Sequence, residues 1–316
     1  MTDVIDKARQ IADEVLFPAA LEVDRDGVLP ASHLDLLARE GFYGLAVAGV
    51  SPLVVEALAG GCLATTFVWM QHHGAVRAVA EAGRTDWLDP LCRGERRAGV
   101  ALGALRPGPP SVRATPVPGG YRLDGESPWV TGWGMIDVLH TAARTVDGAE
   151  TALWALVDAV PGPALRVSPL DLVAVNASAT VEVHFDGLFV PAERVTATLP
   201  YAEWPARDAA GLRMNGSFAL GVAARCLRLL GPTPLDTELD ACRAALDTAP
   251  PPDLPAARAA ASELAMRAAT TLVVSSGARS VLRDHHAQRL LREATFLLVF
   301  GSRPQIRQSL LSHLTP

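Results

Sequence analysis

The stretch Trp129-Val130-Thr131-Gly132-Trp133-Gly134, entering Ile136-Asp-Val-Leu-His-Thr-Ala-Ala-Arg144, decides the fold, because it reads as a turn leading into an apolar strand. Upstream, Pro118-Gly-Gly-Tyr-Arg-Leu-Asp-Gly125 is a turn and a strand of alternating polarity. Downstream, Val181-Glu-Val-His-Phe-Asp-Gly-Leu-Phe-Val-Pro191 alternates again and stops at proline. Together with the β-branched, Gly and Pro content of residues 98–199, these runs predict a small antiparallel barrel or sandwich in the middle of the chain.

The flanks are helical. From Val4 to about Arg97, apolar residues recur at spacings of three and four (Ile5, Ala8, Ile11, Val15; Leu34, Leu36, Leu37). From about Ala206 the same periodicity returns. It predicts four helices, Leu212–Leu230, Leu235–Leu246, Ala256–Leu282 and His286–Leu314, split by Gly, Pro and Asp breaks. The expected organisation is α+β: an N-terminal helical domain at 1–97, a middle β domain at 98–199, and a C-terminal helical bundle at 200–316.

A chain of 316 residues can bury a large core. Its net charge of −6 offers no cationic footprint for nucleic acid. The N-terminus lacks a cationic start followed by an apolar run, and no uncharged apolar stretch reaches about 18 residues, so the expectation is cytoplasmic, with no membrane contact. Cys62, Cys92, Cys226 and Cys242 stand singly and read as reduced core thiols. The adjacent pairs His72-His73 and His285-His286 project about 100° apart on a helix, so no metal is expected.

Three strands in this order resemble the acyl-CoA dehydrogenase family. Its pattern of gly-tyr-x-leu-x-gly, then Trp-x-Thr with a strand ending in Ala-Arg, then phe-asp-x-x-x-val-pro-x-glu is matched by Gly120–Gly125, Trp129–Arg144 and Phe185–Glu193. Gln71-His-His73 and Gly94-Glu-Arg-Arg-Ala-Gly-Val-Ala101 extend the match. The resemblance implies an N-terminal helical domain, a middle β-barrel domain and a C-terminal four-helix bundle. It also implies FAD, and α,β-dehydrogenation of an acyl thioester in which a carboxylate takes the α-proton. A homodimer or homotetramer would form through the bundle.

By the same resemblance Trp129 would lie along the flavin ring and Thr131 would offer a hydroxyl to it. Ala104 and Leu105 would contact it through their backbone, although Arg106 replaces the family's Glu and the following Gly-Ser-Asp is missing. Gly277 and Arg279, in Ser275-Ser-Gly-Ala-Arg-Ser280, would approach the flavin nucleotide of a neighbouring subunit. Alternatively Gly277 only breaks a helix and Arg279 is solvated. Arg228 is a second phosphate candidate.

The pattern fails at the base. The family's catalytic Glu falls at Gly301, in Phe300-Gly-Ser-Arg-Pro-Gln-Ile-Arg307, and the alternative position on the first bundle helix is empty because Gly211–Leu220 holds no acid. Loss of a positioned base forfeits roughly 10²- to 10⁴-fold in rate. Three readings stay open. In the first, a displaced base serves, with Glu203, Asp208 and Glu293 as candidates, although such acids are commonly caps or ion-pair partners. In the second, the chain is a flavin-dependent monooxygenase, with His285 or His286 near the flavin unless they lie at the bundle surface. In the third, it is a non-catalytic partner subunit of a hetero-oligomer.

Overall fold

The computed structural model describes residues 2–145, 150–301 and 303–315. Ser302, in the stretch carrying Gly301, lies outside them.

The N-terminal region comprises α1 (Thr2–Ile11), a π turn (Ala12–Leu16), α2 (Phe17–Asp26), α3 (Ala31–Arg39), α4 (Pro52–Gly61), α5 (Leu63–Gln71), α6 (His73–Glu81) and α7 (Thr85–Cys92). Proline at the first turn of α4 costs no hydrogen bond, and Gly27 ends α2 in the left-handed conformation at φ 64°. His72 links this region to the sheet. Its Nε2 donates to the Leu91 carbonyl at 3.1 Å, and its Nδ1 accepts the Ala98 N–H at 3.0 Å.

The sheet comprises β1 (Ala98–Ala101), β2 (Val112–Val117), β3 (Gly120–Val130), β4 (Val138–Thr145), β5 (Thr151–Asp158), β6 (Leu165–Pro169), β7 (Val181–Pro191) and β8 (Val195–Pro200). Its order is β6-β7-β3-β2-β4-β5-β8, with β1 added beside β4. It is mixed rather than wholly antiparallel. Both β1 and β2 run parallel to β4, the first against Val138–Thr141 and the second against Arg144–Thr145. The two strands thus take successive lengths of one partner without reversing direction.

The C-terminal region comprises α8 (Trp204–Ala210), α9 (Leu212–Leu230), α10 (Leu235–Thr248), α11 (Leu254–Ser276), α12 (His286–Val299) and α13 (Pro304–Leu314). The long helices α9 to α12 pack as a bundle, and α13 rests on α11. The helix expected over His286–Leu314 is broken at Phe300–Arg303. There Gly301 sits at φ 57° and Pro304 opens the next helix. The helix expected to reach Leu282 ends at Ser276, followed by a 3₁₀ turn at Gly277–Val281.

Helices α4 and α9 cross at glycine. A Cβ on Gly221 would lie 2.3 Å from the Glu56 carbonyl, and one on Gly60 would lie 2.9 Å from the Gly221 carbonyl, so only hydrogen fits at either position. Arg225 secures the crossing by donating to the Gly60 carbonyl at 2.6 Å. The main core, from Leu16, Leu58, Leu63 and Trp69 to Phe218, Leu264 and Leu290, runs across the two helical regions without a break.

Candidate functional site

A β-bulge in β3 shapes the first part of the site. Ser127 pairs with Val183 and Val130 with Val181, so β3 carries one residue more than β7 over this stretch, and Pro128, which has no N–H, lies in it. Trp129 follows at φ 62°, a left-handed conformation unusual for so bulky a residue, with its side chain 53% exposed. Among the described residues no other aromatic ring stacks on it. An exposed, strained aromatic face beside a buried turn suits a planar ligand.

Thr131 points the other way and is buried. Its hydroxyl meets that of Thr180 at 3.1 Å, which in turn meets Ser178 at 2.8 Å. The neighbouring backbone is held by Gly132 N–H to the Ser178 carbonyl at 2.8 Å and by Trp133 N–H to the Ala179 carbonyl at 3.1 Å. Val175 and Ala179 both take positive φ to allow this.

Ala104 and Leu105 form a 3₁₀ turn, Gly103–Leu105, laid against the bulge. Gly103 N–H donates to Ser127 Oγ at 3.1 Å. Both side chains are buried, and the Leu105 N–H is already given to the Leu102 carbonyl at 3.0 Å, so it does not serve as a free donor here. The Tyr201 hydroxyl donates to the Arg106 carbonyl at 3.1 Å, and Arg144 lies 4.2 Å over the Tyr201 ring while donating to the Gly108 carbonyl, so the loop is strapped down.

The second part is the turn at Gly301, and α5 joins the two. A Cβ on Gly132 would lie 3.3 Å from Val68, and the next residue back on α5, Phe67, packs edge-on to Phe300 at 5.0 Å. Phe218 and Phe296 complete an aromatic cluster with centroid separations of 5.0–6.2 Å. The sequence spreads these four rings over α5, α9 and the end of α12, so no local pattern announces the cluster.

Two arginines pin the turn. Arg258, 1% exposed, donates to Ser262 and to the carbonyls of Leu297 at 3.1 Å and Phe300 at 3.4 Å. Burial, helped by the neighbouring Arg303 cation, pushes its guanidinium down to about 10. Arg303 donates to the Gly301 carbonyl at 2.7 Å and grips both oxygens of Asp208. A side chain on Gly301 would meet only Asn215 Nδ2 at 3.3 Å and Arg303 Nη1 at 3.9 Å.

The other sequence candidates fall elsewhere. Glu203 is exposed in a 3₁₀ turn. Glu293 is buried and paired with Arg289 at 2.5 Å, with burial raising its carboxyl. His285 caps α12 by accepting the Ala287 N–H at 3.1 Å. His286 stacks on Phe17 at 4.1 Å, and burial with Arg289 and Arg225 nearby lowers it to about 4. Both histidines are half-buried rather than on the bundle surface. Arg228 is engaged by Asp13 through two bonds of 2.9 Å. Gly277 sits at φ 63° in open space, and the exposed Arg279 has no side-chain partner among the described residues.

The order of helical region, mixed sheet and helical region is the fold of the acyl-CoA dehydrogenases. The butyryl-CoA dehydrogenase of Megasphaera elsdenii superposes with a TM-score of 0.83 at 18% identity, covering 100% of this chain and 98% of that one. A glutaryl-CoA dehydrogenase of Mycobacterium smegmatis in complex with FADH2 superposes with a TM-score of 0.78 at 16% identity, covering 99% and 94%.

Sequence comparisons point the same way, toward acyl-CoA-acting relatives at low identity. It is 27% identical over 249 residues to the benzylmalonyl-CoA dehydrogenase of Aromatoleum aromaticum, covering 70% of this chain and 64% of that protein. It is 26% identical over 211 residues to the 3-sulfinopropanoyl-CoA desulfinase of Variovorax paradoxus, covering 58% and 52%. The matches thus span between half and two-thirds of those relatives. No family profile matches the sequence.

Proposed function

We propose that this chain is an FAD-dependent oxidoreductase that carries out α,β-dehydrogenation of an acyl thioester with a non-standard or missing base. The observation that carries the reading is the convergence on α5 of the Trp129–Gly134 segment and the Phe300–Gly301 turn. Bound FAD would supply the hydride acceptor. The exposed face of Trp129 would cover the ring, and the Thr131–Thr180–Ser178 hydroxyls would orient it from behind the bulge. Ala104, Gly277 and Arg279 remain proposed cofactor contacts. For Leu105 the contact would have to come from atoms other than its committed N–H. The aromatic cluster would keep water from the reacting carbons.

The α-proton has no carboxylate at Gly301 to receive it. Asp208 is linked to the turn through Arg303, which pairs with both its oxygens. That pairing also favours a second reading, a partner subunit that keeps the fold without the chemistry. Two related proteins act, by name, on thioesters with a second acidic group, which makes such thioesters the first substrates to try.

The domain limits 1–97, 98–199 and 200–316 and a cytoplasmic location belong to the same proposal. Among the described residues no helix is long and apolar enough to cross a membrane. A homodimer or homotetramer is proposed through the bundle, where a groove of about 710 Å³ runs between Leu235, Met266, Val274 and Leu298.

The test is the visible absorption spectrum of the purified protein before and after denaturation. A stoichiometric flavin band supports the oxidoreductase. A colourless protein that fails to take up added FAD overturns it in favour of the partner subunit.

A further inference from the structure

On the sheet, beside the β3 bulge, three ligand-type side chains meet. Glu182 and His184 alternate along β7, so both project to one face. Glu126 on β3 stands directly opposite His184 in the β3–β7 register. His184 Nδ1 lies 3.3 Å from Glu126 Oε1, and its Nε2 lies 3.3 Å from Glu182 Oε1. One ligand atom from each of the three residues falls within 4.8 Å of the others. The sequence reading expected no metal because it weighed only adjacent histidines and single cysteines; strand pairing assembles this set.

We propose that Glu126, Glu182 and His184 form a binding site for a divalent transition metal of the Zn²⁺ type, independent of the proposed redox chemistry. Two physical arguments carry this. The first is geometric. Ligands at about 2.0–2.2 Å from a tetrahedral Zn²⁺ lie roughly 3.3–3.6 Å apart; the His184 Nδ1–Glu126 Oε1 separation of 3.3 Å has that length, and the Glu182 carboxylate, within 4.8 Å of the other two ligand atoms, reaches it by turning its side chain. One imidazole and two carboxylates leave a coordination position for water.

The second is charge. Glu126 and Glu182 have no guanidinium or ammonium partner among the described residues; both turn to the one imidazole, which can neutralise at most one of them. The nearby arginines are engaged elsewhere, Arg166 with Asp186 at 3.3 Å and Arg122 with Asp124 at 3.3 Å. A dication balances both carboxylates at once. With Nδ1, on the Glu126 side, given to the metal, Nε2 carries the ring proton and donates it to Ser168 Oγ at 3.1 Å, which frees Glu182 from Nε2 to turn to the ion. The bound ion ties β3 to β7 next to the edge strand β6.

The test is calorimetric titration of the full chain, stripped with EDTA, with ZnCl₂ alone. One Zn²⁺ per chain is expected, and His184→Gln and Glu182→Gln should each weaken it by at least the roughly 10- to 100-fold that outer-shell partners are worth. Co²⁺ should give visible bands of a four- or five-coordinate site that disappear in His184→Gln. Variants that bind Zn²⁺ as tightly as the parent would place the metal on other histidines and overturn the proposal, as would a parent with no saturable uptake. Both side chains lie at the solvent face, and equal urea midpoints in EDTA verify that the variants fold.

Discussion

Arg303 grips both carboxylate oxygens of Asp208 while its remaining Nη1 donates to the Gly301 carbonyl at 2.7 Å. One guanidinium therefore ties α8 to the turn that opens at Gly301. Arg303→Ala should lower stability by about 1–2 kcal/mol, seen as a lower urea midpoint at unchanged slope. Arg303→Lys should recover only part of the loss, because an ammonium cannot bind the carboxylate in the same two-pronged way. An unchanged midpoint in Arg303→Ala would show that the pair contributes nothing.

Gly301→Glu tests whether only the base is missing. The residue sits at φ 57°, so a side chain there costs about 1 kcal/mol of backbone strain, and its Cβ would lie 3.3 Å from Asn215 Nδ2 and 3.9 Å from Arg303 Nη1. The expected result is a slightly less stable protein that now bleaches its flavin when mixed anaerobically with an acyl-CoA. Absence of bleaching despite bound flavin would point to a remodelled pocket.

Trp129→Gly should separate stability from binding. Glycine adopts φ 62° freely, so the variant should be as stable as the parent or more stable by up to about 1 kcal/mol. Its affinity for FAD should fall, which fluorescence titration measures. A fall in both quantities would mean that Trp129 is an ordinary packing residue.

Phe67 touches Phe218, Phe296 and Phe300, so Phe67→Ala opens a cavity where α5 meets the Gly301 turn. A loss of about 3–5 kcal/mol is expected in denaturant unfolding. A loss below about 1 kcal/mol would show that the cluster collapses freely around the gap.

Acid should weaken the fold through its histidines. Burial holds His72 and His140 down to about 3 in the folded chain, from an ordinary value of 6.5. Between those values the unfolded chain binds more protons, so stability falls as pH drops below about 6.5, by up to roughly 1.4 kcal/mol per pH unit for each ring. Urea midpoints measured from pH 7.5 to 5 check this; a flat profile would contradict the burial of these rings.

Local sequence determined much of this protein. The alternation of Val181–Pro191, the helical spacing before Arg97 and after Ala206, and the order of turn and strand motifs from Gly120 to Glu193 each depend on residues near one another, and they specify the α+β arrangement. The expectation that Gly301 stands where the resemblance puts a carboxylate likewise needs only a position in a pattern. The parallel pairing of β1 and β2 with β4 was not legible, because two strands on one side of a loop give no local sign of sharing a partner.

Only the tertiary structure decided how the site closes. Phe67 and Phe300 are 233 positions apart, and Asp208 and Arg303 are 95 apart. What each side chain meets is set by helix packing, in particular the glycine crossing of α4 and α9. Glu126, Glu182 and His184 follow the same logic on the sheet, where one register brings together residues that strand periodicity alone can only assign to a face.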